Sequence, residues 1–136
     1  PFFKNIRFKD IIGTNVEQAI NIIGLAEAPP QFIVLEDIRM VCKRGLEANY
    51  VKNLTLRNIE LLNVNEKSSF NITCGNQIVL DNLIGNVTSK DAPVVDVFRT
   101  DGVLLRNCVM PMLGKNKFIN LKECSNVKYV GNLFCE

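Results

Sequence analysis

The sequence predicts an all-β protein wound as a right-handed parallel β-helix, a solenoid of about six coils. Three observations lead to this fold. A short phrase returns six times along the 136 residues, apolar residues alternate within each copy, and an Asp or Asn stands near the end of each copy. The Asp or Asn falls at positions 10, 37, 58, 82, 107 and 132, so successive copies are separated by 27, 21, 24, 25 and 25 residues. A nearly constant spacing of this size indicates stacked repeats.

The repeated phrase supplies the first strand of each coil. Its copies are NIRFKDI (5–11), FIVLEDI (32–38), NLTLRNI (53–59), QIVLDNL (77–83), GVLLRNC (102–108) and, with one inserted residue, NVKYVGNL (126–133). In the third copy Leu54 and Leu56 share one side of the strand, yet the next apolar residue is Ile59. The chain must therefore turn sharply at Asn58, because Asn and Asp tolerate the left-handed backbone conformation that such a corner requires. Stacked about 4.8 Å apart, these side chains are predicted to form a hydrogen-bonded ladder.

A second, shorter strand follows the phrase after a gap of variable length. The five candidates are AINII (19–23), GLEAN (45–49), FNITC (70–74), VVDVF (94–98) and KFINL (117–121). Alternation points the apolar residues of the first three inward and the residues between them outward. The inward set is Ile20, Ile22, Leu46, Phe70 and Ile72, and the outward set is Asn21, Glu47, Asn49, Asn71 and Thr73.

A leucine-rich repeat is the alternative architecture at this spacing. In that repeat the Asn stands three positions after the last Leu. Here Asn58 stands two positions after Leu56, and an apolar residue follows at once. Helical periodicity is absent between the strands, and prolines punctuate the gaps. The parallel β-helix is therefore the better fit.

Composition excludes several classes of function. The 16 basic and 14 acidic residues are scattered without a run, so neither a nucleic-acid surface nor a membrane surface is predicted, and no apolar stretch is long enough to cross a bilayer. There is no histidine, and the five cysteines contain no C-x-x-C pair, so neither a metal site nor a cofactor is expected.

The cysteines divide into two groups. Cys42, Cys74 and Cys108 lie where the alternation requires a buried apolar side chain, and they are predicted to belong to the core. Cys124 and Cys135 either pair in an oxidising compartment or remain reduced, and their spacing leaves both open.

The start of the chain leaves no room for a capping element. A solenoid needs a cap at each end to cover apolar stacking surface, yet the first repeat begins at about residue 3. Residues 1–136 are therefore expected to form a single β-helix segment whose N-terminal coils and cap precede Pro1.

The order of the phrases resembles the later part of family 28 glycoside hydrolases, the polygalacturonases and related pectinases. The residues that carry the resemblance are NIRFKDI, then GLAEAPPQFIVLEDI, then KRG and VKNLTLRNI; it covers residues 3 to about 85 well and the remainder loosely. It implies a right-handed β-helix that hydrolyses galacturonan with inversion and without metal. The family's N-T-D, D-D, G-H-G and R-I-K motifs are absent here. The catalytic aspartates are therefore expected upstream, on coils that stack on this segment, and this chain alone is expected to be inert.

The carboxylates of this chain offer no obvious replacement. Inverting glycosidases need a general acid and a general base about 6.5–9.5 Å apart on one face. Glu36 and Asp37 are adjacent and face apart. Asp91, Asp96 and Asp101 cluster in sequence, but the first and third fall in predicted turns.

The second strands are expected to contribute to the floor of the substrate groove. The resemblance places the family's substrate-binding strand at this point of the coil, which makes Asn21, Glu47 and Asn49 candidates for binding pectic polysaccharide, with Glu27 in the following loop as a fourth. The alternative for these residues is an ordinary solvated sheet face. The alternative for the protein is a non-catalytic carbohydrate-binding or structural β-helix. A polymer substrate of this kind implies a secreted or periplasmic protein.

Overall fold

The computed structural model describes residues 4–65, 67–87, 92–109 and 118–133. Within these ranges the secondary structure is entirely β. The strands are β1 (Lys4–Ile23), β2 (Gln31–Asn49), β3 (Lys52–Val64), β4 (Phe70–Thr73), β5 (Asn76–Val87), β6 (Val95–Phe98), β7 (Asp101–Arg106), β8 (Ile119–Lys122) and β9 (Ser125–Val130). The absence of helices from the described residues rules out the leucine-rich alternative.

The strands stack in parallel and wind around a common axis. Ile33 of β2 lies opposite Leu54 of β3, while Leu46, later in β2, lies opposite Phe70 of β4. One strand therefore contributes to two sides of the solenoid, and the chain makes one circuit between successive copies of the phrase. The predicted all-β parallel solenoid is confirmed, with about five turns.

Each coil contributes to three faces, named here A, B and C. Face A contains the phrase strands at 4–9, 31–36, 52–57, 76–81, 101–106 and 125–130. Face B follows the corner at 11–16, 38–42, 59–64 and 83–87. Face C contains the second strands at 18–23, 44–49, 70–73, 95–98 and 119–122. β1 and β2 run through all three faces, which corrects the prediction of two separate strands in those coils.

The core lies between the three faces and is built from the predicted inward residues. Leu54, Leu56 and Ile59 are fully buried, and so are Leu46 and Phe70 of face C. Such side chains each contribute about 1.5–3 kcal/mol through the removal of apolar surface from water. The inward positions of the outermost described coils are less covered. Phe8 is 50% exposed and Tyr129 is 44% exposed, whereas their neighbours in register, Leu35 and Leu105, are buried.

Two of the three cysteines predicted in the core are buried there. Burial raises the pKa of the Cys42 and Cys108 thiols. The prediction for Cys74 was wrong, because this residue lies half-exposed at a corner with φ of 56°. Cys135 lies outside the described residues, so pairing with Cys124 and the reduced state both stay open.

The corner between faces A and B has the predicted left-handed backbone. The φ angles of Asp10, Asp37, Asn58, Asn82 and Asn107 lie between 52° and 58°. In the sixth copy the predicted corner residue Asn132 was wrong. Gly131, with φ of 64°, takes the corner, because the turn keeps its place in the phrase and the inserted residue moves the Asn one position beyond it. Glycine adopts this conformation without steric cost.

The corner side chains form part of the predicted ladder. The Asn82 amide donates to Asn58 Oδ1 at 2.8 Å, and the Asn58 amide donates to Asp37 Oδ1 at 3.2 Å. Asn107 leaves the ladder and donates to Asp81 Oδ1 at 3.1 Å. The hydrogen bonds run from coil to coil, so the ladder ties neighbouring turns together.

Beside this corner runs a second column, the charge ladder, which consists of Glu36, Arg57, Asp81 and Arg106 in register. Arg57 lies 3.8 Å from Glu36 and 3.4 Å from Asp81, and Arg106 Nε donates to Asp81 at 3.0 Å. Arg7 of the first coil also donates to Glu36. Glu36 is only 5% exposed and Asp81 8%, so each carboxylate needs these cations to compensate for lost hydration.

Sequence reasoning missed two further left-handed columns. One opens face A and contains Asn5, Phe32, Asn53, Gln77, Gly102 and Asn126. The other closes face C and contains Tyr50, Cys74, Arg99 and Glu123. Each coil therefore turns at more left-handed corners than the single Asx position predicted.

Candidate functional site

The outward side of face C carries a column of polar side chains, named here the polar column. Its members are Asn21, Glu47, Asn71, Asp96 and Asn120, each lying beside the next in register. The column arises because each strand of face C has one residue that points outward between two inward apolar residues. The structure thus brings together Asn21 and Glu47, two of the four predicted site residues.

Asn49 lies in a second outward column of face C, two residues further along the strand. This column contains Ile23, Asn49, Thr73, Phe98 and Lys122 in register. Its composition changes along the stack, from an aliphatic residue through amide and hydroxyl groups to an aromatic ring and a cation. A ligand lying along face C would therefore meet different chemistry at its two ends.

Glu27 is set apart from the other predicted site residues. It lies in the exposed turn between β1 and β2, which is closed by a hydrogen bond from the Ala28 amide to the Leu25 carbonyl at 3.1 Å. This turn borders the corner of faces C and A rather than face C itself.

The amides on face C differ in their hydrogen bonding. Asn71 donates to the carbonyls of Ser68 at 2.8 Å and Leu46 at 3.2 Å, so it holds the preceding turn and is structural. Asn120 donates to Asp96 Oδ1 at 3.1 Å. The side chains of Asn21 and Asn49 make no hydrogen bond to any other described residue. These two amides are therefore available to a ligand.

Two carboxylates share the polar column, a juxtaposition that sequence reasoning missed. Glu47 and Asp96 are two strand spacings apart, roughly 9.6 Å between backbone positions. That value lies at the upper limit of the separation that inverting glycosidases use. The available signal was that both residues hold the third position of their strands, GLEAN and VVDVF.

Each of these carboxylates already has a partner. Lys67 Nζ lies 3.7 Å from Glu47 Oε1, and Asp96 accepts from Asn120. Asn71, anchored to main chain, occupies the coil between them. Asp101, which is close to Asp96 in sequence, lies on another face. Asp101 opens face A, where Ser125 and Asn126 donate to its carboxylate and lower its pKa, and Asp91 lies outside the described residues.

A pocket of about 330 Å³, named here the corner pocket, lies where face C turns into face A. Tyr50 lines it, together with the cationic residues Lys52 and Arg99. The Arg99 guanidinium lies 5.0 Å from the centroid of the Phe98 ring, and the Lys122 ammonium lies 5.8 Å from the same centroid. This edge of face C therefore combines aromatic surface with positive charge.

Arg99 is held in place by an acidic neighbour. Its Nε donates to Glu123 Oε2 at 3.0 Å, and this hydrogen bond raises the pKa of Arg99. Lys52 and Lys122 have no ion-pair partner among the residues that the structure describes. Their ammonium groups remain free for an anionic ligand.

The described residues contain neither a metal-binding cluster nor a membrane-spanning helix. No three or more Asp, Glu or Cys side chains come together in a way that could hold a metal ion. No helix there is long and apolar enough to span a membrane.

Comparison with known proteins gives a structural likeness that bears on the fold. No family model matches the sequence, and no curated protein matches it. A solved structure of a "putative glycosyl hydrolase" from Parabacteroides merdae superposes with a TM-score of 0.58 at 9% sequence identity. The alignment covers 96% of this chain and 77% of that one. At this identity the likeness shows a shared solenoid fold.

Proposed function

We propose that this chain is part of a glycoside-hydrolase-like β-solenoid that acts on a polysaccharide, with face C and the corner pocket forming a stretch of its substrate cleft. One observation carries the proposal. The free amides Asn21 and Asn49 lie on the same outward surface as the aromatic and cationic edge formed by Phe98, Arg99 and Lys122. Amides bind sugar hydroxyls, and aromatic rings pack against the apolar faces of sugars. The fold shared with a protein described as a glycosyl hydrolase supports the same direction.

The substrate that fits best is a galacturonan, the backbone of pectic polysaccharide. Each galacturonate unit carries one carboxylate, and Lys52 and Lys122 place two cations along one edge of the face, beside Arg99, which is paired with Glu123. Cations beside a groove attract an acidic polymer and orient its carboxylates. The resemblance to family 28 pectinases supports this substrate and an extracellular or periplasmic location.

In this proposal the chain binds and orients sugar units at a distance from the bond that is cleaved. Inverting hydrolysis needs one carboxylic acid to protonate the glycosidic oxygen and one carboxylate to activate a water that attacks the anomeric carbon. We assign that pair to coils preceding Pro1. Binding energy from remote sugar units would then help to position the reacting unit.

The second candidate is a non-catalytic carbohydrate-binding solenoid, and one observation favours it. The backbone positions of Glu47 and Asp96 are two strand spacings apart, but Asn71, anchored to main chain, lies on the strand between them. Both carboxylates on the described strands of face C already have partners.

Binding of hexagalacturonate to the chain, measured by isothermal titration calorimetry, tests the proposed site. Lys122→Gln removes one cation from the aromatic edge, and we expect it to weaken binding about fivefold. Lys9→Gln is the matched control, because Lys9 is an exposed lysine on face A. Equal affinities for the two variants would contradict the assignment of face C.

Release of reducing ends from polygalacturonate separates the two candidates. The protein that continues upstream of Pro1 is expected to release them, and the 136-residue chain alone is expected not to. Binding without turnover by the longer protein would favour the non-catalytic solenoid.

A further inference from the structure

We propose that face A carries a second, separate binding track for a neutral, extended glycan. The track is a groove of about 810 Å³ that crosses every described coil. Its floor consists of the outward residues Val34, Thr55, Val79 and Leu104, with Arg7 and Lys128 in register at the two ends. This proposal does not depend on the role assigned to face C.

Two columns flank this floor, and one of them forms a wall of the groove. That wall is the left-handed column that opens face A, including Asn5, Asn53 and Gln77. On the other side the groove ends before the charge ladder, which lies two residues further along each strand and does not line it. The amides of Asn5, Asn53 and Gln77 make no hydrogen bond to any described residue, whereas the charged groups of the ladder are paired with one another. The unsatisfied hydrogen-bonding groups are thus concentrated on one wall.

The dimensions of the groove select a thin, linear occupant. From the first described coil to the last it spans five strand spacings, roughly 24 Å. The two flanking columns are four residues apart along each strand, roughly 13 Å between backbone positions. The floor between them therefore has an area of about 300 Å², well below the roughly 800 Å² per partner of a stable protein interface.

The chemistry of the groove distinguishes a glycan from an extended peptide. A peptide presents backbone N–H and C=O groups that need partners, but the backbone of face A is already paired along its parallel ladders, and the floor is mostly aliphatic. A sugar ring presents C–H faces to such a floor and hydroxyl groups at its edges, within reach of the wall amides. Neighbouring coils stack about 4.8 Å apart, so the free amides of Asn53 and Gln77 lie one strand spacing from each other along the wall.

The charges of the groove indicate a neutral glycan. None of the described residues that line it is acidic, and the two cations lie at its ends, with Arg7 neutralised by Glu36. The central floor from Val34 to Leu104 therefore carries no charge to pair with a uronate. The groove differs in this respect from the cationic edge of face C.

Titration of the 136-residue chain with xylohexaose and with cellohexaose tests the track. In the double variant Asn53→Gly/Gln77→Gly, glycine keeps the left-handed backbone and removes both free amides. We expect the Kd of the neutral hexasaccharide to rise about tenfold or more. The methyl resonances of Val79 and Leu104 are expected to shift on titration of the native chain.

Asn58→Gly is the matched control for the double variant. It replaces an amide residue by glycine at nearly the same φ, at the corner that follows the face A strand of Asn53. Because the Asn58 amide is bound within the corner ladder, the Kd of the neutral hexasaccharide is expected to stay unchanged. Asn49→Ala on face C is expected to leave this Kd unchanged as well, which separates the track from the proposed galacturonan site.

Three results would overturn the proposal. The first is that neither neutral hexasaccharide binds the native chain. The second is that binding survives in the double variant. The third is self-association, seen by sedimentation and abolished by the double variant, which would assign the groove to a second copy of the chain.

Discussion

Two of the face A strands carry amide side chains at both ends in the same backbone conformation, yet these amides differ in their bonding. Asn53 and Asn58 have φ angles of 55° and 53°, and Gln77 and Asn82 have 56° and 52°. The later residue of each pair is bound in the corner ladder, and the earlier one is free among the described residues. A left-handed Asn is thus a structural requirement at one end and an available ligand group at the other.

The difference comes from the neighbouring coils. At the corner, Asn82 has Asn58 in the coil before it, and Asn58 has Asp37, so each amide finds an acceptor. In the column that opens face A, Asn53 has Phe32 in the coil before it, and Phe32 offers no side-chain acceptor. Gln77 has Asn53 in the coil before it and still makes no hydrogen bond to it. A residue one coil away therefore explains the different bonding of Asn58 and Asn53, but not that of Gln77.

The largest expected effect lies on the bound side of this comparison, at Asp81. Asp81→Ala removes the acceptor of Arg57, Arg106 and Asn107 and leaves two guanidinium groups without their shared carboxylate. We expect a loss of about 2–3 kcal/mol in the free energy of unfolding, measured by urea denaturation.

The control for Asp81→Ala is Glu60→Ala, which breaks an exposed ion pair with Arg39 on face B. It is expected to cost below about 1 kcal/mol. Losses of equal size in the two variants would show that the charge ladder contributes no more than an ordinary surface pair.

A middle-sized effect should separate the two kinds of left-handed Asn directly. Asn58→Gly keeps the backbone conformation and removes the ladder hydrogen bonds, so we expect it to cost about 1 kcal/mol of stability. Asn53→Gly removes no hydrogen bond to another described residue and is expected to cost only a few tenths of a kcal/mol. Thermal denaturation of both variants gives the comparison, and a larger loss at position 53 would reverse it.

Alanine at the same two positions sharpens the comparison. It adds the strain of a Cβ in the left-handed region, about 1 kcal/mol, to both variants alike. The difference between positions 58 and 53 should therefore be the same for Ala as for Gly, because it reports the hydrogen bonds alone. A difference that depended on the substituted residue would show that the two backbones are not equivalent.

The smallest effect is expected in acid, at an amide that departs from the pattern of its column. Asn126 belongs to the column that opens face A, yet it donates to Asp101 at 2.6 Å, and Ser125 donates to the same carboxylate at 2.7 Å. These hydrogen bonds lower the pKa of Asp101. The stabilisation is present above the pKa of the unfolded state and is lost as pH falls through the folded pKa, below about pH 4.

Amide hydrogen exchange in residues 125–130 measures this loss. Protection is expected to fall as the acid range is entered, and Asp101→Asn is expected to remove that pH dependence. Unchanged protection of the native chain across the same range would contradict the assignment.

Part of this fold could be predicted from one sequence, because core positions follow the inward and outward alternation of side chains along each strand. The step from Leu56 to Ile59 breaks the alternation, and only a turn at Asn58 lets both side chains point inward. The same rule placed Asn21, Glu47 and Asn49 correctly on the outer surface of face C.

The rest depends on which coil stacks on which. Phe32, Tyr50 and Arg99 adopt left-handed backbones although their residue types do not favour them, since stacking between coils outweighs local preference. The shared column of Glu47 and Asp96 required the register of two strands 49 residues apart in sequence. The anchoring of Asn71 to Ser68 required the path of the turn between faces B and C.

The alternation of signs along Glu36, Arg57, Asp81 and Arg106 has a consequence for how the solenoid assembles and evolves. If a folding chain skipped one coil, Glu36 would meet Asp81, or Arg57 would meet Arg106, and like charges would lie side by side at a poorly hydrated position. Repulsion between like charges in this column therefore disfavours incorrect stacking of the coils. It also favours gaining or losing turns in pairs, since duplication of a single coil would place two equal charges together, whereas duplication of two preserves the sequence of signs.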